Sequence, residues 1–379
     1  MLRLLFIVGA LNAYVGWRLL PDLAMLSVSA ALVLGGWLAV SVWLMPQALF
    51  ARRKVHRAVS DGLVWAGSIA MGMFSSLFVL TVLRDLAVLA AGALDLVLPG
   101  AIAMRELGLW SAALVPALAL ALTLVGLYNA RRRAVVRSVE VSIAGLPEAL
   151  RGFSIVQISD IHVGPTIRRS YVDAIVDAVN ALEADMIAVT GDLVDGSVAQ
   201  LAHHTAPLAR LSARHGSYFV TGNHEYYSGV AGWVTELRRL GLRVLMNEHV
   251  VLDHEGEAVV VAGVTDFSAH HYDESHRSDP AAALHGAPQG VGVKLLLAHQ
   301  PRSAFVAESS GFDLQLSGHT HGGQFWPWNF FVKLQQPFTA GLRRLGSLWV
   351  YTSRGTGYWG PPKRIGAPSE ITHLRLVPA

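Results

Sequence analysis

The stretch Ser154-Ile-Val-Gln-Ile-Ser-Asp-Ile-His162 joins a short apolar run to a carboxylate and an imidazole two residues apart. An apolar run of this length is typical of a buried strand, so residues 153–158 are predicted to form one. In the extended loop that follows, Asp160 and His162 can both turn toward one cation. An Asp-x-His pair is common, so its meaning depends on the rest of the chain.

The same arrangement, an apolar run followed by metal-ligating residue types, recurs four times. Gly191-Asp192 follows residues 186–190, Gly222-Asn223-His224-Glu225 follows 217–221, His299 follows 294–298, and Gly318-His319-Thr320-His321-Gly322-Gly323 follows 314–316. Loops at strand ends converge on ligands in open α/β sheets, so these side chains are expected at one edge. Helical patterns at 169–182 and 230–240, with further strands at 259–262, 348–351 and 371–376, favour an α/β layer fold.

Each of these signals has an ordinary structural explanation when taken alone. Asp192 would suit a helix N-cap or a turn, and a single histidine is usually structural. Asp195 and Glu225 are interpreted as partners of ligands or as helix-start caps. Among the histidines outside the pattern, five are interpreted as exposed loop residues, with 270–276 as a candidate lid: His203, His204, His270, His271 and His276. Five signals in order, each after an apolar run, nevertheless indicate one shared site.

Composition divides the chain into an apolar N-terminal part and a C-terminal part that contains nearly all of the histidines. Fifteen of the 16 histidines lie beyond residue 150, the exception being His56. The hydrophobic fraction of 53% and the mean hydropathy of +0.42 point to a membrane-embedded portion. There is no cysteine, which excludes disulfides and thiolate metal sites. The net charge of +3 is small, and its arginine clusters flank apolar segments, so no nucleic-acid partner is expected.

Four apolar stretches, at residues 4–20, 23–44, 62–83 and 107–128, are long enough to cross a bilayer. The region 1–130 is therefore predicted to be all-α and transmembrane, 131–149 a basic linker with a first strand, and 150–379 the catalytic domain. Residues 86–104 are interpreted as a membrane-surface or re-entrant piece rather than a fifth crossing. The few ionisable residues of the helices suggest no intramembrane relay, so a plain anchor is expected.

Basic clusters after the second and fourth stretches predict the orientation. They comprise Arg52, Arg53, Lys54 and Arg57, and Arg131, Arg132, Arg133 and Arg137. By the positive-inside rule both clusters are cytoplasmic. The chain is therefore expected to be a multi-pass protein of the cytoplasmic (inner) membrane, in contact with membrane lipids and with its catalytic domain in the cytoplasm.

The ordered set Asp-x-His, Gly-Asp, Gly-Asn-His-Glu, a lone His and Gly-His-Thr-His resembles the calcineurin-like metallophosphoesterase family over residues 150–379. The loop Gly355-Thr-Gly-Tyr-Trp-Gly-Pro-Pro-Lys-Arg364 and the strand start at 368–371 are similar to those of bacterial membrane-associated phosphoesterases. The resemblance implies a sandwich of two β-sheets flanked by helices, a four-layer α+β arrangement. It also implies two divalent metal ions and hydrolysis of a phosphate mono- or diester by a metal-bound hydroxide.

Carried over residue by residue, the resemblance allocates seven ligands and one acid. Asp160, His162 and His321 would hold one metal, and Asn223, His299 and His319 the other. Asp192 would bridge them, since a shared carboxylate holds two cations close together. His224 is expected to be the general acid, because an imidazole titrates near neutrality. Nitrogen and oxygen ligands suit Mn, Fe, Zn, Co or Ni.

Three functions stay open from the sequence. The first is an esterase acting on a soluble or lipid-linked phosphate ester. The second is a pyrophosphate hydrolase of the UDP-2,3-diacylglucosamine type, which would need an acyl-chain groove beside the metals. Candidate walls for such a groove, which core packing or membrane-surface docking would explain equally well, are Phe325, Trp326, Trp328, Phe330 and Phe331. The third is a membrane sensor or transporter whose metals are structural.

Overall fold

Two compact units make up the protein in this computed structural model, which describes residues 2–50 and 57–379. The first unit contains the residues up to Tyr128 together with Gly360–Lys363. The second contains Asn129–Trp359 and Arg364–Ala379. Arg52, Arg53 and Lys54 of the first basic cluster, and the side chain of Arg57, lie outside the described residues.

The helices are α1 (Leu2–Leu26), α2 (Val28–Phe50), α3 (Arg57–Val97), α4 (Met104–Arg131), α5 (Arg169–Asn180), α6 (Val198–Thr205), α7 (Asn223–Ser228), α8 (Val230–Arg239), α9 (Pro280–Ala283), α10 (Ala304–Ser309) and α11 (Trp328–Phe331). The strands are β1 (Val135–Ile143), β2 (Ser154–Ile158), β3 (Met186–Val189), β4 (Ser217–Phe219), β5 (Arg243–Val244), β6 (Glu248–His254), β7 (Glu257–Gly263), β8 (Val293–Leu297), β9 (Leu314–Ser317), β10 (Gly341–Leu345), β11 (Leu348–Thr352) and β12 (Glu370–Pro378).

Among the described residues, four helices are long and apolar enough to cross a membrane: α1, α2, α3 and α4. Residues 86–97 continue α3, which runs without a break from Arg57 to Val97, so the segment 86–104 is not a separate re-entrant piece, and it adds no fifth membrane-capable helix among the described residues. Leucine and alanine dominate that stretch and favour helix, and the chain turns only at Leu98-Pro99-Gly100, where Gly100 has φ 80°. Asp95 accepts a hydrogen bond from the Gly100 N–H (3.0 Å), so it belongs to that turn.

Four ionisable residues of the helices, Arg18, Asp22, Arg84 and Asp85, form a connected cluster that the sequence analysis did not predict. Asp85 accepts hydrogen bonds from Arg18 Nε (2.9 Å) and from the Tyr14 hydroxyl (2.7 Å). Arg84 pairs with Asp22 and donates to Ser111 Oγ (2.9 Å). Two arginines and two aspartates thus balance in charge and join α1, α3 and α4, as expected of charged groups that face a bundle interior.

The second unit is a four-layer sandwich, which confirms the fold predicted from sequence. Within the described residues, one six-stranded sheet has the order β1-β12-β2-β3-β4-β5 and the other β10-β11-β9-β8-β7-β6. In the first sheet β2, β3, β4 and β5 are parallel, and in the second β7, β8, β9 and β11 are parallel. Helices cover the outer face of each sheet.

Alternate residues along each strand face opposite sides of the sheet and so pack in different layers. In β3, Met186 and Ala188 point into the core between the sheets, whereas Ile187 and Val189 pack with the helices outside. This follows from the two-residue period of a strand, and it makes a strand that is buried on both faces read as one apolar run. The predicted strands match the observed ones within a few residues, while β6 and β10, each an edge strand of the second sheet, were not predicted.

Candidate metal centre

The seven candidate ligands lie at strand ends from both sheets. Asp160 and His162 follow β2, Asp192 follows β3, and Asn223 is the first residue of α7 shortly after β4. His299 follows β8, and His319 and His321 follow β9. Because these strands are parallel within each sheet, their carboxyl ends share one edge, and the expected convergence is observed.

The backbone at these loops is unusual. Five of the seven candidate ligands have a left-handed conformation, with φ between 50° and 71°: Asp160, His162, Asp192, His319 and His321. Residues other than glycine rarely adopt this conformation, and it concentrates at functional sites where surrounding contacts enforce it. The enforced turns direct successive side chains inward from very short loops.

A first group consists of Asp160, His162 and His321. The Nε2 atoms of His162 and His321 are 3.1 Å apart, and His321 Nε2 is 3.5 Å from Asp160 Oδ1. All three residues are buried, and their ligand atoms lie within 4.8 Å of one another. Two imidazoles and one carboxylate converging on a point make a set suited to a divalent metal.

A second group consists of Asp192, His299 and His319. His299 Nε2 lies 3.2 Å from Asp192 Oδ2 and 3.2 Å from His319 Nδ1. His299 Nδ1 donates to the Thr190 carbonyl (2.8 Å), which orients Nε2 toward the group. Burial lowers the pKa of His319 to about 3, so this ring is neutral and able to ligate.

Asp192 and Asn223 complete the fit of these residues to two cations. Asp192 Oδ2 also lies 3.9 Å from His162 Nε2 and so stands between the groups, while Oδ1 accepts the His224 N–H (2.8 Å). The Asn223 side-chain oxygen is buried without a hydrogen-bond partner. A buried amide oxygen without a partner is costly, and coordination to a cation would satisfy it. The donor set therefore suits a pair of divalent metals.

His224 and His162 share Asp195. Its Oδ1 accepts from His224 Nδ1 (2.6 Å) and from His162 Nδ1 (3.0 Å), which orients both rings with Nε2 toward the site. Burial would lower the pKa of His224, but Asp192 and Asp195 raise it to about 9. His224 Nε2 also lies 3.9 Å from Asp192 Oδ2, close enough for His224 to group with His162 and Asp192.

Glu225 holds two of the loops together. Its carboxylate accepts the N–H groups of Gly222 (2.7 Å), Leu193 (2.8 Å) and Asp192 (3.0 Å). Burial raises its pKa to about 8, while two of these N–H groups oppose the shift. The Glu225 carboxylate is therefore occupied by backbone N–H groups, as the sequence analysis expected of a helix-start cap.

Arg364 is a residue of the site that sequence reasoning did not single out. It is almost fully buried, and its Nη2 donates to His321 Nδ1 (3.1 Å). Burial and this cation lower the pKa of His321, which keeps the ring neutral. Trp359 was also missed: its ring lies 5.8 Å from the His224 ring in an edge-on arrangement. Both residues belong to the quoted loop 355–364, whose glycines and prolines were the available signal.

The remaining histidines lie elsewhere. His203 and His204 are in α6, and His270 and His271 form a one-turn 3-10 helix. His276 Nδ1 receives the Tyr226 hydroxyl (3.0 Å) and is not among the residues that group as ligands in the described part of the chain.

Comparison with known proteins agrees with this geometry. Residues 153–323 match the sequence profile of the calcineurin-like phosphoesterase family. A Bos taurus protein named transmembrane protein with metallophosphoesterase domain is 42% identical over 283 residues, which cover 70% of this chain and 63% of the relative. A Helicobacter pylori protein named as an uncharacterized metallophosphoesterase is 38% identical, covering 67% of this chain and 66% of the relative. This chain thus spans slightly less than two thirds of each.

A shorter relative is covered almost completely. A protein from Aquifex aeolicus, also named as an uncharacterized metallophosphoesterase, is 33% identical over 224 residues, which cover 59% of this chain and 84% of that protein. The family match over residues 153–323 contains the strands and loops that bring the buried carboxylates and imidazoles together. This chain belongs to the calcineurin-like metallophosphoesterase family.

Proposed function

We propose that the protein is a phosphoesterase that depends on two divalent metals. Asp160, His162 and His321 would hold one metal. Asn223, His299 and His319 would hold the other, with Asp192 contributing to both. The observation that carries the proposal is the position of Asp192 Oδ2. This atom lies 3.2 Å from His299 Nε2 of one group and 3.9 Å from His162 Nε2 of the other.

The metals, when bound, would supply Lewis acidity toward phosphoryl oxygens and activate water at neutral pH. Mn, Fe, Zn, Co and Ni all suit this set of nitrogen and oxygen ligands. The chain itself contributes orientation: Asp195, Thr190 and Glu225 fix rings and loops so that the ligand atoms face one another.

His224 would hold the proton for the leaving oxygen. Asp195 fixes its Nδ1, so the proton available for transfer is the one on Nε2. The raised pKa keeps that proton on the ring near neutral pH, and cations bound beside it would pull the pKa back toward neutrality, the range a general acid needs.

The proposed substrate class is a phosphate mono- or diester, and the four membrane-capable helices support a membrane location. The UDP-2,3-diacylglucosamine alternative relies on five aromatic residues as candidate walls of an acyl-chain groove beside the metals. Phe325 is buried, and the other four of these aromatic residues face solvent. The ester hydrolase is therefore the function that the site supports best.

The test is metal reconstitution of the purified full-length protein. Chelated protein should regain hydrolysis of p-nitrophenyl phosphate or bis(p-nitrophenyl) phosphate when Mn, Fe, Zn, Co or Ni is returned, and the preferred ester separates mono- from diesterase. Asp192→Ala should abolish turnover and lower bound metal to one ion or none. Asp273→Ala, which removes an exposed capping carboxylate, is the matched control. Two metals retained per chain in Asp192→Ala would refute the bridging role.

A further inference from the structure

An exposed apolar surface follows directly after the histidine loop 318–323. Residues 326–334, here called the aromatic segment, contain α11 and a 3-10 turn. Within nine residues, five large apolar side chains are exposed: Trp326, Trp328, Phe330, Phe331 and Leu334, with Leu334 86% exposed. A contiguous apolar surface of this kind marks an interaction site.

The base of the aromatic segment is held firmly at its N-terminal side. Gln324 exchanges two hydrogen bonds with the Trp359 backbone, both of 2.9 Å, and the Trp326 N–H donates to the Ile365 carbonyl (3.1 Å). Asn329 lies so close to Gly323 that a Cβ there would come within 2.2 Å of the Asn329 Cα. The polar groups thus face inward and the rings outward.

The C-terminal side is held in the same way. Arg302 Nη2 donates to the Gln335 carbonyl (2.6 Å), and buried Gln336 donates to Gln300 Oε1 (3.2 Å). Both ends of the segment are held by internal hydrogen bonds, and its outward face consists of exposed aromatic rings, Leu334 and Lys333. Such a face suits a fluid apolar medium better than a partner that must be matched group by group.

We propose that the aromatic segment docks into the interfacial region of a lipid bilayer. Its composition is that of a membrane-interface anchor, with two tryptophans, two phenylalanines, a leucine and the exposed Lys333. Only residues 132–134 lie between α4 and β1 in the chain, so the second unit is covalently tethered to a membrane-capable helix.

The small size of the aromatic segment favours a bilayer over a protein partner. A standard protein interface uses about 20–30 residues on each side, whereas this surface has nine. Burial of large apolar side chains is favourable, so a few inserted rings suffice to hold a domain that is already tethered.

Docking at this point would bring lipid to the wall of the metal centre. Gln324 joins the aromatic segment to Trp359, whose ring contacts His224. This part of the inference rests on the proposed hydrolase function. The arrangement favours, as the substrate, an amphiphilic phosphate ester that reaches the site from the membrane interface. The docking itself is independent of catalysis and is tested without it.

The absence of cysteine allows single labelling sites in the full-length chain. A nitroxide is attached to Phe330→Cys or Leu334→Cys in protein reconstituted into vesicles of phosphatidylcholine with phosphatidylglycerol. Val251→Cys is the control, because Val251 is an exposed apolar residue on β6 of the same unit. Collisions with lipid-soluble oxygen and with a water-soluble nickel chelate are compared by electron paramagnetic resonance.

Labels at 330 and 334 should collide with oxygen several-fold more than with the chelate, relative to the label at 251. Chelate access equal to that of the control would overturn the proposal, since the segment would then face water. Exclusion of both reagents would overturn it as well, because the segment would be covered by protein. The measurement can be made on metal-free protein, so loss of hydrolase activity does not affect the outcome.

Discussion

His224 separates proton transfer from metal binding at the scale of one residue. Since Asp195 orients its ring and both proposed metals have other ligands, His224→Ala should keep both metals while turnover falls about a hundredfold or more. Metal content by elemental analysis and turnover of an aryl phosphate are the two measurements.

The control is His203→Ala, which removes an exposed histidine of α6 and should change neither quantity. A His224→Ala protein that binds one metal fewer would show that the group formed with His162 and Asp192 is a ligand set.

Gly318 illustrates how tightly the centre is packed. A Cβ on this residue would lie 2.0 Å from Ser159 Oγ and 2.1 Å from Asp160 Oδ2, and both neighbours are fully buried. Gly318→Ala should therefore displace Asp160, lower metal occupancy and destabilise the fold by about 1–3 kcal/mol. Thermal unfolding and metal content measure both effects.

A matched substitution exists in α8. A Cβ on Gly232 would make only ordinary contact, 3.5 Å from Val198, so Gly232→Ala should leave metal binding intact. Its helical position should gain stability of about 0.5–1 kcal/mol. Equal metal loss in the two variants would contradict the role given to Gly318.

Among the elements, α3 differs most from expectation. At about 1.5 Å per residue, its 41 residues extend roughly 60 Å, about twice the apolar thickness of a bilayer. Its charged pair Arg84-Asp85 lies in the second half and connects to α1 and α4. The second half of α3 is therefore attached to α1 and α4 by ion pairs and hydrogen bonds.

Removal of Arg84 should destabilise the helical unit strongly. Arg84→Leu removes donors to Ser111, Gly108 and Arg18 and leaves the partly exposed Asp22 without its cation, and a hydrogen bond from a charged group contributes about 1.5–3 kcal/mol. The unfolding temperature of detergent-solubilised protein should fall clearly. Arg105→Leu, at an exposed arginine of α4, is the control, and similar shifts in the two variants would show that the cluster adds little.

For the whole molecule, the four membrane-capable helices predict that both ends lie on the same side. The basic residues Arg131, Arg132 and Arg133 at the end of α4 favour the cytoplasm. A reporter fused after Ala379 should behave as cytoplasmic, and one inserted near Gly100 as external. A C-terminal reporter active only outside the cell would contradict the orientation.

The fold and the chemistry of the site were largely predictable from local pattern. Strands buried on both faces are continuous apolar runs, so β2, β3, β8 and β9 could be recognised one by one. The motifs after them carry ligand types whose order along the chain indicates one site. Edge strands such as β6 and β10 were missed because their alternation is weaker and their pairing depends on neighbours that are distant in sequence.

The sequence by itself determined the two-part organisation, the layered fold and the residue types gathered at the strand ends, because these depend on local hydrophobic periodicity. Only the tertiary structure decided that Asp195 orients two histidines, that Arg364 lies against His321, and that the charged residues of α1 and α3 join in one cluster. Residues 326–334 could equally have been core or surface. These features depend on contacts between residues far apart in the chain, whose distances follow from packing and not from any pattern in the sequence.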